Sequence, residues 1–329
     1  MRAPVVQEPR TAHASAAGPG TARGLRQVAG PGGKLSVVAV DQRQALRKML
    51  AAAGHDPSAA SVCEFKRDVA IAVDGHCSAL LLDPQWGLPT VISHPGVAAR
   101  TPLIVALEES GTLSWQGGRR SVLLTGWSPQ QARNSGACAG KLLVYLRPDH
   151  APSAREALAV MTAAKQACRA ADLPFILEVV PYRLDEEDEQ GFAAAYGAHV
   201  NAAAQCASEL APDLLKLPWP GRLDAASPLD VESGALESFS NLGCSWALLS
   251  AGADANVFAA RVELALDEGG ASGFICGRAL WAEAVGSADR QGSLATAVER
   301  LDRLVALLDG RGRPLAIPSI SMDESWYLA

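Results

Sequence analysis

Four charged residues stand next to or within apolar stretches, and their types suit covalent chemistry on a carbonyl group. Lys216 is set in DLLKLPWP, Lys141 in AGKLLVYL and Glu178 in ILEVV. Asp41 directly follows LSVVAV. A lone ammonium in apolar surroundings costs several kcal/mol unless it is paired, reaches water or loses its proton. A lysine between apolar walls and close to a second cation has a lowered pKa, so its neutral amine can attack a ketone.

The product of that attack, an iminium ion, is an electron sink that stabilises the carbanion released when a neighbouring C–C bond breaks. Such a reaction needs a proton shuttle, and Glu178 in a neighbouring strand could be that shuttle. The alternative is an edge strand whose lysine reaches solvent. Only six of the 29 basic residues are lysines, and two of the six lie in apolar runs, which makes that alternative less satisfactory.

Eight apolar runs recur along the chain, and most are continuous rather than alternating. This pattern is typical of parallel strands covered on both faces. The predicted strands are LSVVAV (35–40), CSALLLD (77–83), PLIVALE (102–108), GKLLVYL (140–146), PFILEVV (174–180), DLLKLP (213–218), SWALLS (245–250) and SGFICG (272–277).

Helical patterns lie between these strands. One begins after Asp254, a suitable N-cap, and stops at Gly269-Gly270. Eight strands with intervening helices predict a single (β/α)8 TIM barrel over residues 34–329. An open doubly wound sheet is the alternative, but no G-x-G-x-x-G follows the first strand. Residues 109–138 are the least regular and could hold an extra hairpin or helix. Residues 1–33, rich in Ala, Gly and Pro, predict a mostly disordered tail.

Polar residues collect at the carboxyl ends of the predicted strands, where barrel enzymes place their chemistry. Asp41, Gln42 and Arg43 follow the first strand, while Asp83 and Glu108 end the second and third. Either Asp83 or Glu108 could equally be a structural ion pair. Carboxylates and lysines converging on one end would neutralise one another and form a site.

The ends of the last two strands carry small turns that lead into helices. Ser250-Ala251-Gly252 and Gly277-Arg278 together offer backbone N–H groups, a hydroxyl and a guanidinium. These groups suit a phosphate, and barrels often bind phosphate in the loops after strands seven and eight.

Composition excludes several other classes. A net charge of −6 gives no electrostatic basis for nucleic-acid or anionic-membrane binding, and no apolar run approaches the ~18 residues of a membrane span. The seven cysteines form no C-x-x-C pair and are interpreted as reduced cytoplasmic thiols. The six scattered histidines give no zinc motif. We therefore expect no metal and no cofactor.

Taken together, the motifs resemble the class I tagatose-1,6-bisphosphate aldolase family and the related sulfofructose-phosphate aldolases. The resemblance runs from about residue 34 to 285 through AVDQRQALRKML, LLLDPQWGLP, GKLLVYLRPD, PFILEVV, DLLKLPWP, LLSAGADANVF and GASGFICGRALWAEAVG. It implies a metal-independent enzyme that cleaves a phosphorylated ketohexose to dihydroxyacetone phosphate and a three-carbon aldehyde. The protein is expected to be a cytoplasmic homo-oligomer.

The resemblance also implies roles for individual residues. Lys216 would form the Schiff base, with Glu178 as acid/base and Lys141 as a second lysine that eases carbinolamine formation. Asp41 would bind the reacting hydroxyl and carbonyl region. The residues implied for the C1 phosphate are Ser250, Ala251, Gly252, Gly277 and Arg278, and those implied for the anion at C6 are Gln42 and Arg43.

Two other functions are consistent with the same residue types. A phosphosugar isomerase or epimerase would use Glu178 and Asp41 as bases, with the lysines only neutralising charge. A non-catalytic barrel would bind a sugar phosphate without turning it over.

Overall fold

The computed structural model describes residues 18–97 and 101–320. Each of the eight apolar runs forms a strand, and a short hairpin adds two more. The strands are β1 Leu35–Val40, β2 Ala79–Leu82, β3 Leu103–Ala106, β4 Leu113–Trp115, β5 Gly118–Arg120, β6 Ala139–Tyr145, β7 Phe175–Val180, β8 Leu214–Leu217, β9 Trp246–Leu249 and β10 Gly273–Cys276.

Eight of these strands close into a parallel barrel in the order β1-β10-β9-β8-β7-β6-β3-β2. Every barrel strand is almost wholly buried, as expected when side chains fill the interior and helices cover the outside. The predicted (β/α)8 barrel is thus confirmed, and the open sheet is excluded.

Helices cover the barrel between successive strands. They are α1 Pro19–Val28, α2 Gln44–Ala52, α3 Ala59–Val73, α4 Gly87–Ile92, α5 Pro129–Asn134, α6 Ala151–Ala170, α7 Glu189–Ser208, α8 Ala235–Ser240, α9 Ala255–Asp267, α10 Arg278–Val285 and α11 Arg290–Ala306. The side chain of Asp254 caps α9 as predicted, accepting the backbone N–H groups of Asn256 and Val257. Among the described helices, none has both the length and the apolarity to cross a membrane.

The irregular region between the third and fourth barrel strands contains both a hairpin and a helix. β4 and β5 pair antiparallel through a two-residue turn at Gln116-Gly117, where φ is +48° and +80°. Positive φ at both central residues is typical of the type I′ turn that suits a two-residue hairpin. α5 follows, capped by the side chain of Ser128.

Alternation along each strand decides which side chains enter the barrel. On β8, Leu215 and Leu217 belong to the apolar cluster beneath the helices, whereas Leu214 belongs to the cluster inside the barrel. Since side chains alternate with period two, Lys216 points inward with Leu214. The same parity applies to the other three charged residues, because Ala39, Ala139 and Ile176, each two positions earlier, all belong to the inner cluster.

The N-terminal segment differs from the predicted tail. Residues 1–17 lie outside the described residues, but α1 is a helix whose Leu25 and Val28 join the inner apolar cluster. Its first turn is held by the carboxylate of Asp172, which accepts the backbone N–H groups of Gly20 and Thr21 at 2.6 and 2.8 Å. The small residues that indicated disorder allow close packing, since a Cβ at Gly24 would lie 2.2 Å from the Cys138 carbonyl oxygen.

Candidate active site

The four inward-facing charged residues meet inside the barrel, and a fifth joins them. Lys141 on β6 lies at the centre: its Nζ is 3.0 Å from Asp41 Oδ2, 2.8 Å from Glu108 Oε1 and 2.8 Å from Glu178 Oε2. Glu178 Oε2 also accepts a hydrogen bond from Lys216 Nζ at 2.9 Å. We call Asp41, Glu108, Lys141, Glu178 and Lys216 the lysine–carboxylate cluster.

Strand register explains how residues so far apart in sequence meet. Glu178 pairs with Lys216 across β7 and β8, and with Leu143 across β6 and β7. Lys141 therefore lies two residues closer to the amino end of β6 than the residue that pairs with Glu178. It pairs with Ala106 at the end of β3. Its early position in its strand follows from the stagger that closing a barrel requires. Glu108, just beyond β3, reaches back to the same lysine.

Lys141 is an ammonium fixed by its surroundings. Only 2 % of the residue is exposed. Burial acts to lower the pKa of Lys141, but Asp41, Glu108 and Glu178 outweigh it and hold the pKa well above the ordinary value. Lys141 therefore keeps its proton at neutral pH.

The carboxylates respond in the opposite direction. Burial acts to raise the pKa of Glu178, but the ammonium groups of Lys141 and Lys216 lower it to below its usual value. The same balance of burial against Lys141 and Lys216 holds the pKa of Asp41 far below its usual value. Both groups are thus ionised at neutral pH and can accept a proton.

Lys216 is enclosed, with 5 % of the residue exposed. Its neighbours across the strands are Glu178 and Ala247. The nitrogen lies within the barrel beside a carboxylate, not in bulk water. Lys216 is the third of the four residues of β8, so it lies near the mouth, the end of the barrel at the carboxyl ends of the strands.

Two turns at the ends of β9 and β10 adjoin one another. The backbone N–H of Gly277 lies 3.4 Å from Ser250 Oγ, and a Cβ at Gly252 would lie 3.7 Å from Arg278 Cζ. Ala251 and Gly252 both have positive φ, +48° and +79°. Arg278 is exposed and opens α10. Hydroxyl, guanidinium and a helix N-terminus thus face one region, which suits a phosphate.

Gln42 and Arg43 are the two residues that the resemblance implied for the anion at C6. A Cβ at Gly277 would lie 3.1 Å from Gln42 Nε2, so Gln42 sits beside the β10 turn. Arg43 is 4 % exposed. Its Nη1 donates to Gln85 Oε1 at 3.3 Å and its Nη2 donates to the Glu108 carbonyl oxygen. Arg43 therefore ties the loops around Glu108 together.

The sequence did not decide whether Asp83 and Glu108 belong to the site or form structural ion pairs. The structure places the two residues in different surroundings. Glu108 belongs to the lysine–carboxylate cluster, where its Oε2 also accepts the backbone N–H of Leu143 at 3.0 Å. Asp83 forms an ion pair with Lys66 of α3, 2.5 Å away. Lys66 had no place in the prediction. Among the described residues, no group of three or more His, Cys, Asp or Glu could hold a metal ion.

The chain is similar to known aldolases. A family model described as DeoC/LacD family aldolase matches residues 35–283. Tagatose 1,6-diphosphate aldolase 2 of Enterococcus faecalis is 31 % identical over 77 % of this chain and 80 % of its own. Tagatose 1,6-diphosphate aldolase of Staphylococcus aureus is 30 % identical over 79 % and 84 %.

Solved structures show the same fold. An archaeal fructose-1,6-bisphosphate aldolase, whose catalytic lysine was captured bound to the carbinolamine intermediate of its substrate, superposes with a TM-score of 0.58. It is 18 % identical and covers 88 % of this chain and 100 % of its own.

Proposed function

Because this chain belongs to the DeoC/LacD family of aldolases, we propose that it cleaves a ketohexose 1-phosphate with a phosphate or sulfonate at C6 through a Schiff base. The products are dihydroxyacetone phosphate and a three-carbon aldehyde that carries the second anion. The observation that supports this most directly is the buried amine of Lys216, 2.9 Å from Glu178 Oε2 inside the barrel.

The reaction begins with Lys216. Its ammonium group first transfers a proton to Glu178 Oε2, 2.9 Å away, and the free amine then adds to the C2 carbonyl, giving a carbinolamine that loses water to form the iminium ion. Glu178 is the acid/base for these proton transfers, because one of its oxygens is in hydrogen-bond reach of the reacting nitrogen. Lys141 stays charged, so Lys141 is not the nucleophile.

Cleavage then moves electrons into the iminium. A cluster carboxylate takes the proton of the C4 hydroxyl, the C3–C4 bond breaks, and its electron pair forms the enamine while the aldehyde leaves. Protonation at C3 and hydrolysis of the resulting iminium release dihydroxyacetone phosphate and restore Lys216. Asp41 and Lys141 hold the substrate's hydroxyl and carbonyl region during these steps, and their 3.0 Å contact fixes both groups in advance.

The C1 phosphate is bound at the turns after β9 and β10. This assignment rests on the adjoining hydroxyl of Ser250 and guanidinium of Arg278, and on the tendency of barrels to bind phosphate there. The relatives' names support a tagatose bisphosphate-like substrate. The seven free cysteines support a reducing, cytoplasmic setting. Homo-oligomerisation stays a prediction.

The test of this proposal is a side-by-side assay of tagatose 1,6-bisphosphate, fructose 1,6-bisphosphate and sulfofructose 1-phosphate, following release of dihydroxyacetone phosphate. We expect at least one of the three to be cleaved with kcat/KM above about 10⁴ M⁻¹s⁻¹, within the ordinary range for enzymes. Release from none of them would contradict the proposal. Conversion to an isomeric sugar without dihydroxyacetone phosphate would favour the isomerase.

A further inference from the structure

The β4–β5 hairpin holds an arginine against the carboxyl ends of β6 and β7. Arg119 Cζ lies 5.2 Å from the centre of the Tyr145 ring and 5.1 Å from that of Tyr182. The two rings meet edge to face, with centres 6.2 Å apart. Tyr145 follows Lys141 by four residues on β6, so it shares the inward parity of the cluster residues. Tyr182 lies two residues beyond the end of β7, so both tyrosines stand at the carboxyl ends of their strands, on the mouth side of the cluster.

The guanidinium of Arg119 has N–H groups available to bind an anion. Within residues 18–97 and 101–320, its guanidinium makes no ion pair and no hydrogen bond, and the residue is exposed. Its contacts there are the two rings, which hold a guanidinium by cation–π attraction and leave its N–H groups free. Arg43 differs, because both of its terminal nitrogens are already engaged.

The support beneath Arg119 is fixed. Its backbone N–H donates to Tyr182 Oη at 2.9 Å, and that hydroxyl donates to Ser153 Oγ at 2.8 Å. The hairpin also packs directly on the barrel: a Cβ at Gly118 would lie 2.6 Å from Tyr182 Oη. A cation held by its backbone in this way binds an anion without first losing much conformational freedom.

Barrel topology places the strands that flank the hairpin, β3 and β6, across the barrel from the predicted C1 phosphate site. In the ring order, β3 and β6 each stand four strands away from β9 and β10, respectively. The hairpin joins β3 to β6 in the chain, whereas the phosphate turns follow β9 and β10. An open six-carbon chain bound covalently at Lys216 and held by its C1 phosphate on one side would therefore direct its other end toward the hairpin.

We propose that Arg119, seated on Tyr145 and Tyr182, binds the terminal phosphate or sulfonate at C6 and so selects doubly anionic substrates. A guanidinium matches either group through paired N–H···O bonds. This inference rests on the proposed function, because it assigns a residue to the far end of the same substrate.

The test compares Arg119→Gln with Arg120→Gln on substrates with and without a C6 anion. Arg120 lies on the other face of the hairpin, where it pairs with Glu156 at 3.1 Å and contacts the Trp115 ring. For Arg119→Gln, we expect kcat/KM to fall about 10- to 100-fold for tagatose 1,6-bisphosphate or sulfofructose 1-phosphate, whichever wild type cleaves better. For fructose 1-phosphate, which lacks the C6 anion, we expect a fall of less than about threefold. Arg120→Gln should leave both activities unchanged.

Further measurements separate this inference from the proposed function. In the condensation direction, Arg119→Gln should raise KM for the anionic aldehyde and leave KM for dihydroxyacetone phosphate unchanged. Arg119→Lys keeps the positive charge but not the paired N–H donors of the guanidinium, so its KM for the anionic aldehyde should lie between those of the wild type and Arg119→Gln. Equal losses on all substrates, or no loss, would overturn the role of Arg119 while leaving the aldolase intact. If the wild-type enzyme shows no preference for doubly anionic substrates, the proposal that the substrate carries a second anion at C6 is wrong.

Discussion

Lys66 and Lys216 are both buried lysines beside a carboxylate, yet their surroundings differ. Lys66 and Asp83 are each 0 % exposed, and Lys66 Nζ donates to Asp83 and to the Val40 carbonyl oxygen. Asp83 in turn accepts three backbone N–H groups, from residues 85, 86 and 87. Burial lowers the pKa of Lys66 more than Asp83 raises it. This pair is sealed, and its polar contacts join α3 to the ends of β1 and β2.

The lysine–carboxylate cluster is not balanced in the same way. It has three carboxylates, of Asp41, Glu108 and Glu178, against two lysines, which leaves one formal negative charge in excess. Its Lys216 retains slight exposure. A buried ion pair is therefore not in itself a sign of chemistry in this fold. Unequal charge at an accessible end of the barrel distinguishes the site from the sealed pair.

The largest expected effect on stability is at the sealed pair of Lys66 and Asp83. Lys66→Met should lower the free energy of unfolding by about 3–5 kcal/mol, because it leaves the Asp83 carboxylate buried without its cation. Urea unfolding at pH 7 measures this effect, with the exposed lysine variant Lys48→Met as the control. The folded Lys66→Met enzyme should keep most of its kcat. A stable variant with strongly reduced kcat would place Lys66 in the chemistry instead.

In the lysine–carboxylate cluster we expect a smaller loss of stability and a larger loss of activity. Glu178→Gln should lower kcat by about 10²-fold or more, because the amide cannot exchange protons with the reacting nitrogen. Its loss of stability should be smaller than that of Lys66→Met, since removing one carboxylate brings the cluster to two against two.

Glu178→Asp is the matched control for that variant, because it keeps the charge but withdraws it from Lys216. We expect it to recover part of the lost kcat. If Glu178→Gln unfolds more readily than Lys66→Met and retains its activity, the contrast between the two regions is wrong.

Much of the barrel could be predicted because its signals are local. Continuous apolar runs identified all eight barrel strands, and the polar residues at their ends identified the cluster. The family resemblance is likewise confirmed by the matched family and the tagatose 1,6-diphosphate aldolase relatives. Lys66 was missed although it carries a signal. It occupies an apolar-stripe position of α3 together with Val62, Phe65, Val69, Ala70 and Val73, where a charged residue needs a buried partner.

Other features depend on contacts that the local sequence does not show. The helix α1 forms from a stretch whose composition indicates disorder, because its apolar face packs against residues that are distant in the sequence, among them those of the barrel interior. Two further contacts join residues that are distant in the sequence: the hydrogen bond from Arg43 to Gln85, and the packing of Arg119 on Tyr145 and Tyr182. Both follow from the closure of the barrel and from the loops packed at its mouth.

The most direct test is to add borohydride together with dihydroxyacetone phosphate and to locate the modified residue by peptide mass spectrometry. A Schiff base at Lys216 predicts one reduced three-carbon adduct on that lysine, none on Lys141 or Lys66, and no adduct in Lys216→Met. Such a variant should also lose more than about 10⁴-fold in kcat. Wild-type enzyme that cleaves its substrate yet forms no adduct, or an adduct that persists in Lys216→Met, would contradict the account.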